Sequence, residues 1–141
     1  MILRCTYEEL TALRSGARGL LGEDMGVSAP VVVAPPEHRA QVEALVPHLS
    51  GDLSMNTLER VWEVEAAVET IVRHLRTEME AAVVAAHPAD ELAVTAYFEF
   101  AHAISVAGRL SDITGEMTAL IELVTGAPPT DESARTFEFP D

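Results

Sequence analysis

The stretch from residue 56 to residue 125 constrains the fold most, because its apolar residues recur at steps of three and four. That spacing places them along one stripe of an α-helix. In the first half the stripe consists of Val61, Val64, Val68, Val72, Leu75, Met79 and Val83. Asn56 can cap this helix, with Glu59 three residues further on. Pro88 ends it, because His87 before a proline is disfavoured in helical conformation.

The second half of the stretch carries two apolar stripes instead of one. The first consists of Val106, Leu110, Ile113, Met117, Leu120 and Val124, and the second of Val94, Tyr97, Ala101, Ile104 and Gly108. A helix that is apolar on two sides is usually buried on two sides. One side can face the first long helix, so the other needs a partner from the N-terminal third of the chain or from a second copy. The helix is expected to end at Gly126. A break between Gly108 and Gly115 is the alternative to a continuous helix.

Shorter elements are predicted around this hairpin. Residues 2–5 are expected to be extended, and Thr6 begins a helix with a capping box. Val31, Val32 and Val33 are β-branched and lie between prolines, which favours a second strand, parallel to the first. Polar and aromatic residues alternate over residues 136–139, which are a candidate third strand. A further short helix is predicted to start at Pro36.

The predicted fold class is mainly α: a long antiparallel helical hairpin, or small helical bundle, with two shorter N-terminal helices and one or two short β-strands. We expect one domain over residues 1–126, with a β/α segment at 1–52 and the hairpin at 56–125. Residues 127–141 are rich in proline, hydroxyl and acidic side chains. This tail is expected to be exposed and partly disordered.

Acidic residues outnumber basic ones by 23 to nine, which gives a formal net charge of −14. Such a charge argues against binding to a nucleic-acid backbone, which needs a basic surface, and against binding to anionic membranes. It also allows an acidic mimic that blocks a basic nucleic-acid-binding surface, as a minor alternative. The longest uncharged stretch, residues 25–36, is too short and too rich in proline to cross a bilayer. We therefore expect a cytoplasmic protein.

One pair of residues has the spacing of a metal site. Glu99 and His102 lie three residues apart on the second long helix, and di-iron carboxylate bundles use this Glu-x-x-His spacing. In this respect alone the helix resembles the second helix of encapsulated ferritins, which complete a metal site across a dimer. The resemblance implies iron or another divalent metal, with Glu65 and Glu69 of the first long helix as further ligands. The alternative is a structural network in which Glu99 pairs with Arg76.

Other chemistry-bearing residues lack a diagnostic context. Cys5 is the only cysteine, which excludes an intrachain disulfide, and we expect it to be a buried small apolar residue. His74 is predicted to project to the solvent side of the first long helix. The sequence contains no glycine-rich phosphate loop and no nucleophile elbow. Trp62 lies off the main stripe, where it can cover the edge of the hairpin or anchor an interface.

These patterns predict a non-catalytic, homo-oligomeric interaction or scaffolding protein, most simply a homodimer, without a cofactor. The predicted interface residues are Val94, Tyr97, Ala101, Ile104 and Trp62. The partner is a second copy of the chain, and another protein is a further possibility. The alternative function is an oligomeric metal-binding helical protein of the ferritin-like, di-iron type, with ligands Glu65, Glu69, Glu99 and His102.

Overall fold

The computed structural model describes residues 1–22, 35–85 and 91–140. In these ranges the helices are α1 (Tyr7–Leu21), α2 (Pro36–Leu45), α3 (Leu58–Ala85), α4 (Glu91–Thr125) and α5 (Asp131–Thr136), and the strands are β1 (Ile2–Leu3) and β2 (Leu53–Ser54). The mainly α fold and the long helical pair are thus confirmed. The predicted strand at Val31–Val33 and the break at His87 and Pro88 lie outside the described residues.

The pairing of α3 with α4 forms the centre of the molecule. Their facing sides hold fully buried aliphatic residues, among them Val68 and Ile71 of α3 and Val106 and Leu110 of α4. The cap of α3 is Thr57 rather than Asn56: its hydroxyl accepts a hydrogen bond from the backbone N–H of Arg60 at 3.2 Å. Helix α4 is continuous through Gly108 and Gly115.

Helix α1 packs against both members of the hairpin. It begins with the predicted capping box, in which the Thr6 hydroxyl and the Glu9 carboxylate each accept from the other residue's backbone N–H. It ends at Gly22, whose φ of 76° lies in the left-handed region that glycine adopts without strain. At Gly16 the backbone of α1 comes so close to α3 that an added Cβ would lie 2.6 Å from Cγ2 of Ile71. Glycine is therefore required there for α1 to reach the hairpin.

The first strand pairs with a segment that was not predicted to be a strand. β1 pairs antiparallel with β2, with Ile2 opposite Ser54 and Leu3 opposite Leu53. The backbone N–H of Met55 extends the ladder by donating to the carbonyl of Met1 at 2.9 Å. Leu3, Leu53 and Met55 are buried beneath this ribbon. The segment before α3 therefore serves as a strand and not only as a linker.

The tail is mostly exposed, and it contacts the body through α5 and its two phenylalanines. Thr130 and Ser133 form a capping box that starts α5, and α5 contacts α3. The backbone N–H of Phe139 donates to the Asn56 carbonyl at 2.7 Å, and the Phe139 side chain is only 7 % exposed. Phe137 lies against it with ring centroids 5.1 Å apart. These two aromatic side chains thus hold the tail on the body, although the tail is mostly polar.

Among the helices of the described ranges, none has a stretch long and apolar enough to cross a bilayer.

Candidate functional site

Helix α4 is buried on one side and open on the other. The buried side faces α1 and α3 and includes Ala103, Val106, Leu110, Met117 and Ile121. On the opposite side Tyr97 is 56 % exposed, and Val94 and Ile104 are each 42 % exposed. Ala101 between them is partly buried, and Gly108 is exposed. The second predicted apolar stripe therefore stays open to solvent among the residues that the structure describes.

Phe98 enlarges this open side, and the sequence stripe had not included it. It is 56 % exposed and meets the Tyr97 ring edge-on, with centroids 5.8 Å apart. We call the surface formed by Val94, Tyr97, Phe98, Ala101, Ile104 and Gly108 the outer face of α4. The adjacent aromatic residues Tyr97 and Phe98 were the available signal, since two large apolar side chains stand side by side on the open part of the helix.

Polar contacts hold α1 on the side of α4 away from the outer face. Arg109 of α4 donates to the Glu9 carboxylate and to the Arg4 carbonyl. Ser15 of α1 donates to Oε1 of Glu99 at 3.3 Å. The charged residues in this part of α4 are thereby directed at α1, and the outer face itself carries no charged side chain.

Glu9 is a buried carboxylate, with 5 % of the residue exposed. Burial alone raises the pKa of Glu9, but hydrogen bonds from the Thr6 backbone, the Ser105 hydroxyl and the Arg109 guanidinium outweigh it. The pKa is therefore lowered, and the charged form is stabilised. This carboxylate caps α1 and ties it to α4, which is a structural role.

Trp62 does not join the outer face, although the sequence placed it in the same interface. The Thr114 hydroxyl donates to the Glu65 carboxylate at 2.9 Å, so the start of α3 lies opposite the C-terminal half of α4. Trp62 is therefore about 20 residues along α4 from Tyr97, or roughly 30 Å at 1.5 Å per residue. It is 36 % exposed at the other end of the hairpin.

The residues of the predicted metal site are not brought together within one chain. The contact of Glu65 with Thr114 sets it about 15 residues, or roughly 22 Å, along α4 from Glu99. Glu69, one turn after Glu65, is exposed. Nδ1 of His102 donates to the Phe98 carbonyl at 2.7 Å. In the described ranges no group of three or more His, Cys, Asp or Glu side chains could hold a metal ion.

Arg76, the residue predicted to pair with Glu99, also contacts an aromatic ring. The guanidinium of Arg76 lies over the Phe100 ring, 5.6 Å from its centroid. A cation over an aromatic face is a favourable contact that needs no carboxylate. Phe100 is thereby covered on the α3 side of the hairpin, and it takes no part in the outer face.

His74 is buried, in contrast to the predicted solvent position. The residue is 7 % exposed, and its Nε2 lies 2.9 Å from Oε1 of Glu78. Gly19 of α1 makes room for it, because a Cβ at Gly19 would lie 2.8 Å from that nitrogen. The buried side of α3 is wider than its aliphatic stripe, because Ala67, Thr70 and His74 are buried as well.

Cys5 is a poor candidate for a nucleophile. Burial raises the pKa of the Cys5 thiol, the Glu9 and Asp52 carboxylates raise it further, and Arg109 offsets only part of this. Its Sγ lies 4.0 Å from the Leu3 carbonyl oxygen. A thiol that stays protonated reacts slowly, since the thiolate is the reactive form.

An open groove of about 370 Å³ lies between α2 and α3. Arg60 and Glu63 line it and pair with each other at 3.2 Å, which leaves their charges largely balanced. Its remaining lining is mostly aliphatic, from Ala40, Ala44, Leu45 and Val64. No nucleophile with an adjacent base lines the groove within the described ranges, so it offers no catalytic arrangement.

In comparisons with protein-family models, curated proteins and solved structures, no match to the chain was found. The outer face is thus assessed from its own chemistry. It is mostly apolar and aromatic, it has no formal charge, and it lies on a long helix whose opposite side is firmly packed. Such a surface can bury area against another protein.

Proposed function

We propose that the chain is a non-catalytic, homo-oligomeric interaction or scaffolding protein whose basic unit is a dimer joined through the outer face of α4. The observation that carries the proposal is the exposure of Tyr97 and Phe98, each at 56 %, on a helix already buried on its other side. Contiguous apolar patches on a protein surface mark interaction sites. Aromatic residues are enriched at such sites.

The charge of the chain restricts where a second copy could bind. Two chains of net charge −14 repel each other over most of their surfaces. That repulsion is weakest where neither copy presents a charge, and the outer face is such a surface. A cyclic dimer brings the same patch together from both copies, so the face would cover itself.

The exposed apolar area of the outer face determines how much further surface a stable dimer must bury. Aromatic side chains offer about 150–250 Å² each, so two that are half exposed supply about 200 Å². A stable interface buries roughly 800 Å² per partner. Tyr97 and Phe98 thus provide about a quarter, and the rest must come from Val94, Ile104 and the remaining length of α4. A dimer of this kind has to run along the helix instead of meeting at one point.

Sedimentation equilibrium of the full chain tests the proposal. A dimer of 30.4 kDa, twice the 15.2 kDa of one chain, is expected at micromolar concentrations. Added salt should tighten it, because salt screens the repulsion between acidic copies. A chain that stays monomeric up to near-millimolar concentration in moderate salt contradicts the proposal.

A matched pair of variants locates the contact. Ile104→Glu places a carboxylate in the outer face and should abolish the dimer. Val84→Glu makes a similar change at a residue of α3 that is 88 % exposed and does not belong to the outer face, and it should leave the dimer intact. Circular dichroism of both variants checks that the helices are retained. If the two substitutions affect the dimer equally, the outer face of α4 is not the dimer contact.

A further inference from the structure

The outer face continues along α4 with a strict seven-residue repeat. One set of positions comprises Val94, Ala101, Gly108 and Gly115, and a second set, three residues later each time, comprises Tyr97, Ile104, Ser111 and Thr118. This is the spacing of the two core positions in a coiled coil. Most of these residues are exposed, and Ala101 and Thr118 are partly buried. The face therefore extends over four layers of a possible helix–helix contact.

We infer that the two copies pair antiparallel through this repeat, with the two-fold axis beside residue 106. The inference rests on the proposed function, because it specifies how the outer face meets itself. In this register each layer joins positions whose numbers add up to 212. The layers are Val94 with Thr118, Tyr97 with Gly115, Ala101 with Ser111, and Ile104 with Gly108.

Side-chain size is the first argument for this orientation. The two large residues, Tyr97 and Ile104, each meet a glycine of the other copy. Parallel pairing would instead place Tyr97 on Tyr97 and glycine on glycine, which separates the helices at one layer and leaves a gap at another. Well-packed interfaces avoid both outcomes.

Among the described residues, no packing contact requires glycine at Gly108 or Gly115. A Cβ added at Gly108 or at Gly115 would meet nothing within 4 Å. Glycine in a helix interior is unfavourable relative to alanine. The contrast is Gly16, where Ile71 and Leu75 of α3 leave no room for a side chain. The close approach of a large residue from a second copy would explain in the same way why Gly108 and Gly115 are glycines.

Charge is the second argument for the antiparallel orientation. Asp112 and Glu116 are exposed beside the C-terminal half of the repeat. Antiparallel pairing sets them at the level of residues 96–100 of the other α4, where Tyr97 and Phe98 are exposed and Glu99 accepts a hydrogen bond from Ser15 of α1. The two copies of Asp112 then lie about 12 residues, or roughly 18 Å, apart along the axis. That distance exceeds the Debye length of about 10 Å. Parallel pairing would place each acid beside its own copy.

Disulfide cross-linking of the full chain tests the orientation. In a Cys5→Ser background, Val94→Cys and Thr118→Cys are made separately, and one carries a longer tag so that mixed and homogeneous dimers differ in mobility. After mild oxidation of the mixture, the antiparallel register predicts that the 94–118 link dominates. Val94→Cys alone should link poorly, because its two copies lie about 36 Å apart in this register. Val84→Cys, on α3 and outside the repeat, measures random collision, because Val84 is exposed.

The outcomes separate the orientation from the dimer itself. A mixed 94–118 product well above the Val84→Cys level supports the inference. If the Cys5→Ser parent is dimeric but Val94→Cys links to itself, the pairing is parallel, and the orientation is overturned while the proposed function stands. If the parent is monomeric by sedimentation, the proposed function fails first. If the parent is dimeric and neither pair exceeds random collision, the repeat is not the contact.

Discussion

Substitution of Gly16 by alanine tests the closest helix contact in the fold. The new Cβ would lie 2.6 Å from Ile71 Cγ2 and 3.0 Å from Leu75 Cγ, and both of those side chains are fully buried. Overpacking of this kind costs about 1–3 kcal/mol. Alanine returns about 1 kcal/mol of helix propensity. The net loss in the free energy of unfolding is therefore expected to be about 0–2 kcal/mol, by subtraction of the two magnitudes.

Gly108→Ala is the control within one chain, because it gains the same propensity and its Cβ meets nothing within 4 Å among the described residues. The difference between the two variants isolates the steric cost of about 1–3 kcal/mol. At about 4 °C per kcal/mol for a chain of this length, the two melting temperatures should differ by about 4–12 °C. The assay is thermal unfolding by circular dichroism, repeated at tenfold lower concentration to separate any contribution from self-association. Equal stabilisation by both substitutions would refute the close packing of α1 on α3.

Three further predictions concern Glu9, the tail and the outer face. The pKa of Glu9 is lowered in the folded chain. The charged Glu9 therefore stabilises the fold fully above the ordinary carboxyl pKa of about 4.3. This stabilisation is lost as the pH falls through the pKa of the folded state. Urea unfolding should therefore show a smaller difference between the wild type and Glu9→Gln at pH 3 than at pH 7, and an unchanged difference contradicts it. Phe139→Ala should cost about 3–5 kcal/mol in the same assay, whereas Phe98→Ala, half exposed, should change the stability of the monomer by less than about 0.5 kcal/mol. Gly115→Ala should raise the helix stability by about 1 kcal/mol and yet weaken dimerisation in sedimentation equilibrium, and a tighter dimer would contradict the packing of Tyr97 on Gly115.

The hairpin was predictable because its side-chain pattern is repeated over many turns. Val61, Val64, Val68 and Leu75 are all buried as the 3.6-residue period requires. Boundaries depend on single hydrogen bonds, and they were less accurate. Asn56 and Thr57 are both good caps, and the sequence cannot show which of the two directs its side chain at the first free backbone N–H. In the structure Thr57 does so, and the Asn56 carbonyl is used by Phe139 instead.

Contacts between distant segments could not be read from local pattern. The pairing of β1 with β2 joins residues about 50 positions apart, and neither two-residue strand has a periodicity of its own. The burial of His74 depends on Gly19, because only a position without a Cβ lets the imidazole fit under α1. The tail is held by Phe137 and Phe139 despite its polar composition. In each case a few side chains determine a contact between distant segments, and the composition of those segments does not indicate it.

The outer face is different, since the sequence indicated both its existence and its need for a partner, and the fold narrows what that partner can be. The N-terminal third of the chain was the candidate within the chain. Of its described helices, α1 is fixed to another side of α4, because Arg109 donates to Glu9 and Ser15 donates to Glu99. These polar contacts leave α1 no freedom to cover Tyr97 as well. The same contacts remove the charges of this part of α4 from the open side. The interactions that complete the core of one chain therefore also produce the uncharged apolar surface on which a second copy can pack.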